Sequence, residues 1–119
     1  MPTPTVATLD LAFKKGSRFV QPVEVALDGV LAPFPPGTTA RMQIRASVGN
    51  PSVAAELTTE NGRLVVDAGA ALVTITMPSA FTDTFTFERA VYDLVLIYPG
   101  PEQETILEGK VYVYPSVTR

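Results

Sequence analysis

Apolar and polar residues alternate along short segments of this chain, a spacing typical of strands with one buried face. The clearest case is residues 39–48, where alanine, methionine and isoleucine alternate with arginine and glutamine. Apolar-rich runs of similar length recur along the chain, at residues 8–13, 19–27, 53–59, 63–67, 72–77, 90–98 and 105–114. The 11 prolines and 8 glycines punctuate these runs at short intervals, which favours strands and turns over long helices.

These runs predict an all-β chain: a single antiparallel β-sandwich, immunoglobulin-like, with about eight strands. A sandwich is favoured over a small barrel because the sequence shows no barrel-like repetition. Residues 79–88, rich in threonine and phenylalanine, are expected to form a loop or an irregular strand. A weak tendency toward a helical turn is found in residues 53–59 alone.

Two local signals refine this arrangement. Pro22 lies inside a run and has no N–H to donate to a sheet ladder, so we expect its strand to lie at an edge. The Asn61-Gly62 pair separates two runs, which predicts a β-hairpin with a type I′ turn. In that hairpin Leu57 would lie opposite Val66.

The chain length of 119 residues fits one domain. Pro2 and Pro4 prevent regular pairing of the first residues. We therefore expect an extended N-terminal arm at residues 1–5, the β-sandwich domain at residues 6–115 and a C-terminal tail at residues 116–119.

The charge distribution argues against nucleic acid and membrane partners. The net charge is −3 and the basic residues are scattered, whereas nucleic-acid binding usually requires a basic patch. The longest apolar run, residues 94–98, is too short to span a bilayer. No basic segment followed by an apolar stretch begins the chain, so we expect no signal peptide and synthesis in a cytoplasm.

The sequence contains no histidine and no cysteine. This removes the Ser-His-Asp triad, histidine-bearing zinc sites and thiolate chemistry. Glu102, Glu104 and Glu108 are the candidates for carboxylate catalysis, and Asp67, Asp83 or the same glutamates could hold calcium on the sandwich loops. Solvated turn charge is the simpler interpretation. We predict a non-enzyme with no catalytic, cofactor-binding or metal-binding residues, no cofactor and no small-molecule substrate.

The two closing strands carry apolar residues on both faces, whereas a sheet with one wet face alternates cleanly. A turn centred between Pro101 and Glu102 would place Asp93 opposite Lys110. One outer surface would then gather the residues of a predicted protein interface, which are Val91, Val95, Ile97, Ile106, Tyr112 and Tyr114. The alternative is that loops of the same chain cover this surface.

Five short segments follow one another in a recognisable order. They are residues 13–16 (FKKG), 40–45 (ARMQIR), 91–94 (VYDL), 107–111 (LEGKV) and 115–119 (PSVTR). In this order they resemble small β-sandwich virion proteins of tailed bacteriophages. The similarity is to the N-terminal domain of upper baseplate proteins and to lower-tail-fibre sandwich domains, and it spans nearly the whole chain.

The resemblance implies a non-catalytic virion component that binds other virion proteins and copies of itself. It would be an assembly module of the tail, baseplate or tail-fibre attachment region. A capsid decoration protein is the nearest alternative. A host-surface or glycan-binding module is an alternative of another class, although without tryptophan its aromatic platform would have to consist of tyrosines.

Overall fold

A computed structural model describes residues 7–25, 33–47, 49–100 and 102–115. In chain order its elements are β1 (Ala7–Thr8), β2 (Leu11–Lys14), β3 (Phe19–Glu24), β4 (Thr39–Arg45), β5 (Ala55–Thr58), β6 (Leu64–Asp67), β7 (Leu72–Met77), α1 (Ser79–Thr82), β8 (Arg89–Ile97) and β9 (Gln103–Tyr114). The expected arm at residues 1–5 and the expected tail at residues 116–119 lie outside the described residues.

The strands form two sheets packed as a sandwich. The larger has the order β1-β9-β8-β4-β5, with β2 also paired to β9, and the smaller has the order β3-β7-β6. Immunoglobulin folds divide their strands in the same way, with B, E and D in one sheet and C, F and G in the other. The predicted immunoglobulin-like sandwich is therefore confirmed. The short strands β1 and β2 add a parallel pairing with β9 that the antiparallel prediction did not include.

The facing sides of the two sheets form the core. Burial alternates along β4, where Ala40, Met42 and Ile44 are buried, as the sequence pattern predicts. Each fully buried aliphatic side chain contributes about 1.5–3 kcal/mol of transfer free energy. Phenylalanine rings pack at one part of this core, including the edge-to-face pair Phe13–Phe19, with ring centroids 5.2 Å apart.

The position of Pro22 agrees with the prediction of an edge strand. β3 is the terminal strand of the smaller sheet, and Pro22 lies opposite Thr74 of β7. The neighbouring Gln21 side chain donates a hydrogen bond of 2.9 Å to the carbonyl oxygen of Pro22. Both features occupy backbone positions that a further strand would need.

The hairpin predicted at Asn61-Gly62 is wrong. β5 pairs with β4 in the larger sheet and β6 pairs with β7 in the smaller, so this turn crosses between sheets. Leu57 lies opposite Met42 instead of Val66. Gly62 has a φ of +77°, whereas Asn61 is not among the residues with positive φ, and a type I′ turn needs both.

The Asn61 side chain explains why the turn departs from a hairpin. Its Oδ1 accepts hydrogen bonds from the N–H groups of Thr58 and Arg63, at 3.0 and 3.1 Å. Its Nδ2 donates to the carbonyl oxygen of Glu56 at 3.2 Å. The amide thus bonds the free side of β5, where β6 would otherwise have paired.

The helical turn lies at α1 and not in residues 53–59, which form the strand β5 and the residues around it. Pro78 precedes α1, and Thr82 within it is fully buried. The Thr82 hydroxyl lies 2.9 Å from the carbonyl oxygen of Ser17 and 3.1 Å from that of Ser79. The buried Thr82 hydroxyl therefore has a hydrogen-bond acceptor in the turn at Ser17, which is distant in the sequence. In the described part of the chain no helix is long and apolar enough to cross a membrane.

Candidate interaction surface

The outer face of the larger sheet carries most of the predicted interface. Along β8 the even-numbered residues from Ala90 to Leu96 are buried, and the odd-numbered ones point away from the core. Val91, Val95 and Ile97 therefore lie on the outer face, each half-buried. Strand pairing places this face of β8 between the outward-facing residues of β4 and β9.

The two predicted tyrosine anchors also lie on this face. Tyr112 is half-buried opposite Arg89 of β8, and Tyr114 is 53% exposed near the end of β9. Tyr112 lies beside Ala12 of β2 on its other side. The structure thus brings Val91, Tyr112 and Tyr114 to one end of the sheet, while Val95 and Ile97 lie toward the other end.

Ile106 does not belong to this surface. It is 8% exposed and is part of the hydrophobic core. The cause is a β-bulge, because Leu94 pairs with Leu107 while the next residue, Val95, pairs with Thr105. Ile106 is the extra residue of the bulge, and such an insertion interrupts the strict alternation of faces on which the prediction relied.

The predicted register of the closing hairpin is also wrong. Asp93 lies opposite Glu108 instead of Lys110, and Lys110 lies opposite Val91. Two carboxylates directly opposite each other cost up to about 1 kcal/mol, but both of these are exposed to solvent. The observed register places Gly109 opposite Tyr92, at the point where the backbone of Leu9 passes very close to β9.

A polar belt crosses the middle of the outer face and divides its apolar residues. We define this polar belt as Gln43, Arg45, Asp93, Glu108 and Lys110. Gln43 and Glu108 lie on either side of Asp93, and Arg45 and Lys110 lie on either side of Val91. The sequence predicted one outer surface with a single charged pair at its centre, whereas two rows of polar and charged side chains separate the apolar residues.

Hydrogen bonds fix the part of the polar belt that lies on β4. The Arg45 guanidinium donates to the carbonyl oxygen of Asn50 at 2.7 Å and to Oε1 of Gln43 at 2.8 Å. Gln43 Nε2 in turn donates to Glu56 Oε2 at 2.8 Å. This chain of bonds holds the long Arg45 side chain against the sheet and reduces the entropy it would lose on binding.

An open depression lies over the polar belt and extends to Thr8 and Asp10. Asp10 accepts a hydrogen bond from the backbone N–H of Lys110 at 2.9 Å. Its carboxylate thus takes the place of the backbone carbonyl oxygen that a paired strand would offer to this N–H group. Within the described ranges no group of three or more acidic side chains is placed to hold a metal ion. The carboxylates in this depression alternate with the basic side chains of Arg45 and Lys110. Such a mixture of charges suits contacts with polar groups of another protein.

Two tyrosine hydroxyls outside the predicted interface have strongly raised pKa values. Burial, with the nearby Asp10 carboxylate, raises the pKa of Tyr92 well above its usual range, and its hydroxyl donates to the carbonyl oxygen of Leu9. Burial, with a hydrogen bond to Glu104 and its charge, raises the pKa of Tyr98 to about 12. Both hydroxyls therefore stay protonated near neutral pH and act as structural donors.

The smaller sheet carries an exposed apolar group that was not predicted from the sequence. Val20 of β3 is 44% exposed and Val65 of β6 is 55% exposed, and Pro22 is exposed beside them. Pro22 and Val65 lie on opposite sides of Thr74 in the same row. The sequence signal for this group is that Val20 and Pro22 lie two positions apart in their run, and so on one face of the strand.

A model of one protein family matches this chain. The family is described as the LtfC-like, β-sandwich domain, and the match covers residues 5–114. No match is found among curated proteins. The matched residues include all nine described strands, from Ala7 at the start of β1 to Tyr114 at the end of β9.

Proposed function

The chain belongs to the LtfC-like β-sandwich domain family, which is associated with phage long tail fibres, and we propose that it is a non-catalytic structural part of the tail-fibre region of a phage particle. The family match across every described strand is the observation that carries this proposal. The protein would reside in the virion, and its partners would be other virion proteins and copies of itself.

The outer face of the larger sheet is the surface we assign to the particle. Its apolar side chains flank the polar belt, an arrangement that gives both buried area and orientation to a protein contact. Tyr112 and Tyr114 at one end have the chemistry of anchor residues, since tyrosine is enriched among side chains that dominate binding energy. Charged groups in the polar belt would determine how the partner is aligned on the sheet more than how tightly it binds.

Localisation in the particle tests the proposal directly. Purified particles of a phage encoding the chain with a C-terminal epitope should be labelled with gold-conjugated antibody and imaged. We expect label at the tail fibres or at their attachment site. Label distributed over the capsid would indicate a decoration protein, and absence from particles with binding to host cells would indicate a host-surface module. Either result would overturn the proposal.

Tyrosine substitutions test the assigned surface. We expect Tyr112→Ala and Tyr114→Ala to fold normally and to be incorporated into particles less efficiently than the wild type. Val53→Ala is the matched control, because Val53 is a 40% exposed apolar residue outside the strands. Equal incorporation of all three variants would exclude this face as the docking surface.

A further inference from the structure

The open edges of the two sheets differ in whether another strand could pair with them. Among the described strands, β3 and β6 end the smaller sheet and β5 ends one side of the larger. An edge strand presents unpaired N–H and C=O groups to any strand that approaches, and proteins usually block such edges. The three edges differ in whether side chains of this chain already occupy those backbone groups.

Two of the edges are blocked by their own side chains. On β3, Pro22 has no N–H and its carbonyl oxygen accepts a hydrogen bond from Gln21. On β5, the Asn61 amide bonds the N–H of Thr58 and the carbonyl oxygen of Glu56. A neighbouring chain could not use these backbone groups without displacing the bonds already made.

β6 carries no such block within the described residues. The Thr76 N–H donates to the carbonyl oxygen of Arg63 at 2.8 Å, which continues the ladder between β7 and β6. Antiparallel pairing alternates, so Val65 also directs its backbone groups toward β7, while Leu64 and Val66 direct theirs to the open side. The outward groups of Leu64 and Val66 are the donors and acceptors that an added strand requires.

The outer side chains near this edge are self-complementary. Arg63, Val65 and Asp67 follow one another at every second position and so share one face, with the valine between a positive and a negative charge. We propose that β6 pairs antiparallel with β6 of a second copy of this chain, with Val65 opposite Val65 and Arg63 opposite Asp67. The smaller sheets of the two copies then join into one continuous sheet.

The proposed register satisfies both the backbone and the charges. With Val65 at the twofold axis, Leu64 lies opposite Val66 of the other copy, and these are the residues whose backbone groups face outward. Arg63 then lies opposite Asp67 twice, once on each side of the axis. In the single chain the Arg63 guanidinium lies over the Phe81 ring, 3.8 Å from its centroid, and Asp67 Oδ1 accepts a hydrogen bond from the Ala70 N–H at 3.3 Å. This inference does not depend on the proposed function.

A single introduced cysteine tests the twofold axis. The chain contains no cysteine, so V65C would have one thiol per copy. In the proposed pair residue 65 is a non-hydrogen-bonded site with a Cα separation of about 4.5 Å, which a disulfide can span. We expect V65C to form disulfide-linked dimers under mild oxidation several-fold faster than V20C. Val20 is the matched control, because it is a 44% exposed valine on the blocked edge of the same sheet. Equal rates for the two variants would overturn the proposal.

Charge reversal tests the pairing of Arg63 with Asp67. Sedimentation analysis of the wild type should show concentration-dependent dimerisation. We expect R63E and D67K each to self-associate about tenfold more weakly, because like charges then face each other at both ends of the pair. An equimolar mixture of the two variants should recover association, since each supplies the charge that the other needs. A wild type that stays monomeric at every concentration, or a mixture no better than its parts, would contradict this pairing. The cysteine comparison leaves Arg63 intact and remains decisive if R63E fails to fold.

Discussion

Gly109 lies so close to the backbone of Leu9 that a Cβ at residue 109 would come within 2.2 Å of the Leu9 carbonyl oxygen. Leu9 sits between β1 and β2, where the parallel pairing with β9 is interrupted without a change of register. The Leu9 N–H donates to the carbonyl oxygen of Glu108 at 3.0 Å. A glycine is therefore required on β9 for the N-terminal strands to reach the sheet.

Gly109→Ala should destabilise the protein by about 1–3 kcal/mol, the usual range for forcing extra atoms into a packed site. The contact is with backbone, which cannot move aside without detaching the chain around Leu9. Gly69→Ala is the control, because its nearest neighbour, Asp67 Oδ1, would lie 3.8 Å from the new Cβ. Urea unfolding would measure both variants. Equal stability of the two would show that the N-terminal strands contribute little.

Tyr92→Phe should remove the hydroxyl that donates to the Leu9 carbonyl oxygen and cost about 1 kcal/mol. The loss should appear locally as faster exchange of the amide protons of β1 and β2, which this bond helps to hold against β9. Tyr114→Phe removes a hydroxyl from an exposed position and serves as control. Unchanged exchange in β1 and β2 would indicate that Gly109 packing alone holds these strands.

The sequence predicted the fold class and most strand positions, because alternation and turn residues are local signals. The alternation around Met42 and Ile44 corresponds to the buried face of β4, and Pro22 does mark an edge. These features depend on residues a few positions apart. The predicted strands therefore persist in the tertiary structure, because each strand has one face to bury.

The errors arose where distant residues decide the local structure. Asn61-Gly62 has a hairpin sequence, but Leu57 packs with β4 and the Asn61 amide bonds the free side of β5. The register of β8 and β9 depends on Leu9, about a hundred residues before Gly109, and the bulge at Ile106 reassigns that residue to the core. No periodicity within the two strands contains this information.

Stability should fall in alkaline solution partly because of Tyr98. Its pKa is raised from 10.0 to about 12, chiefly by burial and then by Glu104. A group whose folded pKa exceeds its unfolded value stabilises the fold below the unfolded pKa and loses that contribution as pH rises through the folded pKa. The loss therefore occurs between about pH 10 and pH 12.

Tyr98→Phe should flatten the pH dependence of unfolding in this window, because the variant has no hydroxyl to ionise at residue 98. Urea midpoints measured across the window for wild type and variant give the difference directly. Tyrosinate absorbance of the folded wild type should show at least one hydroxyl ionising later than a free tyrosine. Parallel curves for the two proteins would mean that neither burial nor Glu104 raises the pKa of Tyr98 in solution.

Asn61→Ala should both destabilise the protein and expose an edge. The variant loses the three side-chain hydrogen bonds to Thr58, Arg63 and Glu56, and we expect a cost of about 1–2 kcal/mol because these groups are solvent-accessible. The backbone groups of β5 that the amide occupies would become available to another strand, so we also expect aggregation at lower concentration than for the wild type. Asn61→Asp keeps the acceptor but not the donor and should lie between the two. Light scattering during heating, together with urea midpoints, separates the two effects, and a destabilised Asn61→Ala that aggregates no more readily than the wild type would show that the amide does not protect this edge.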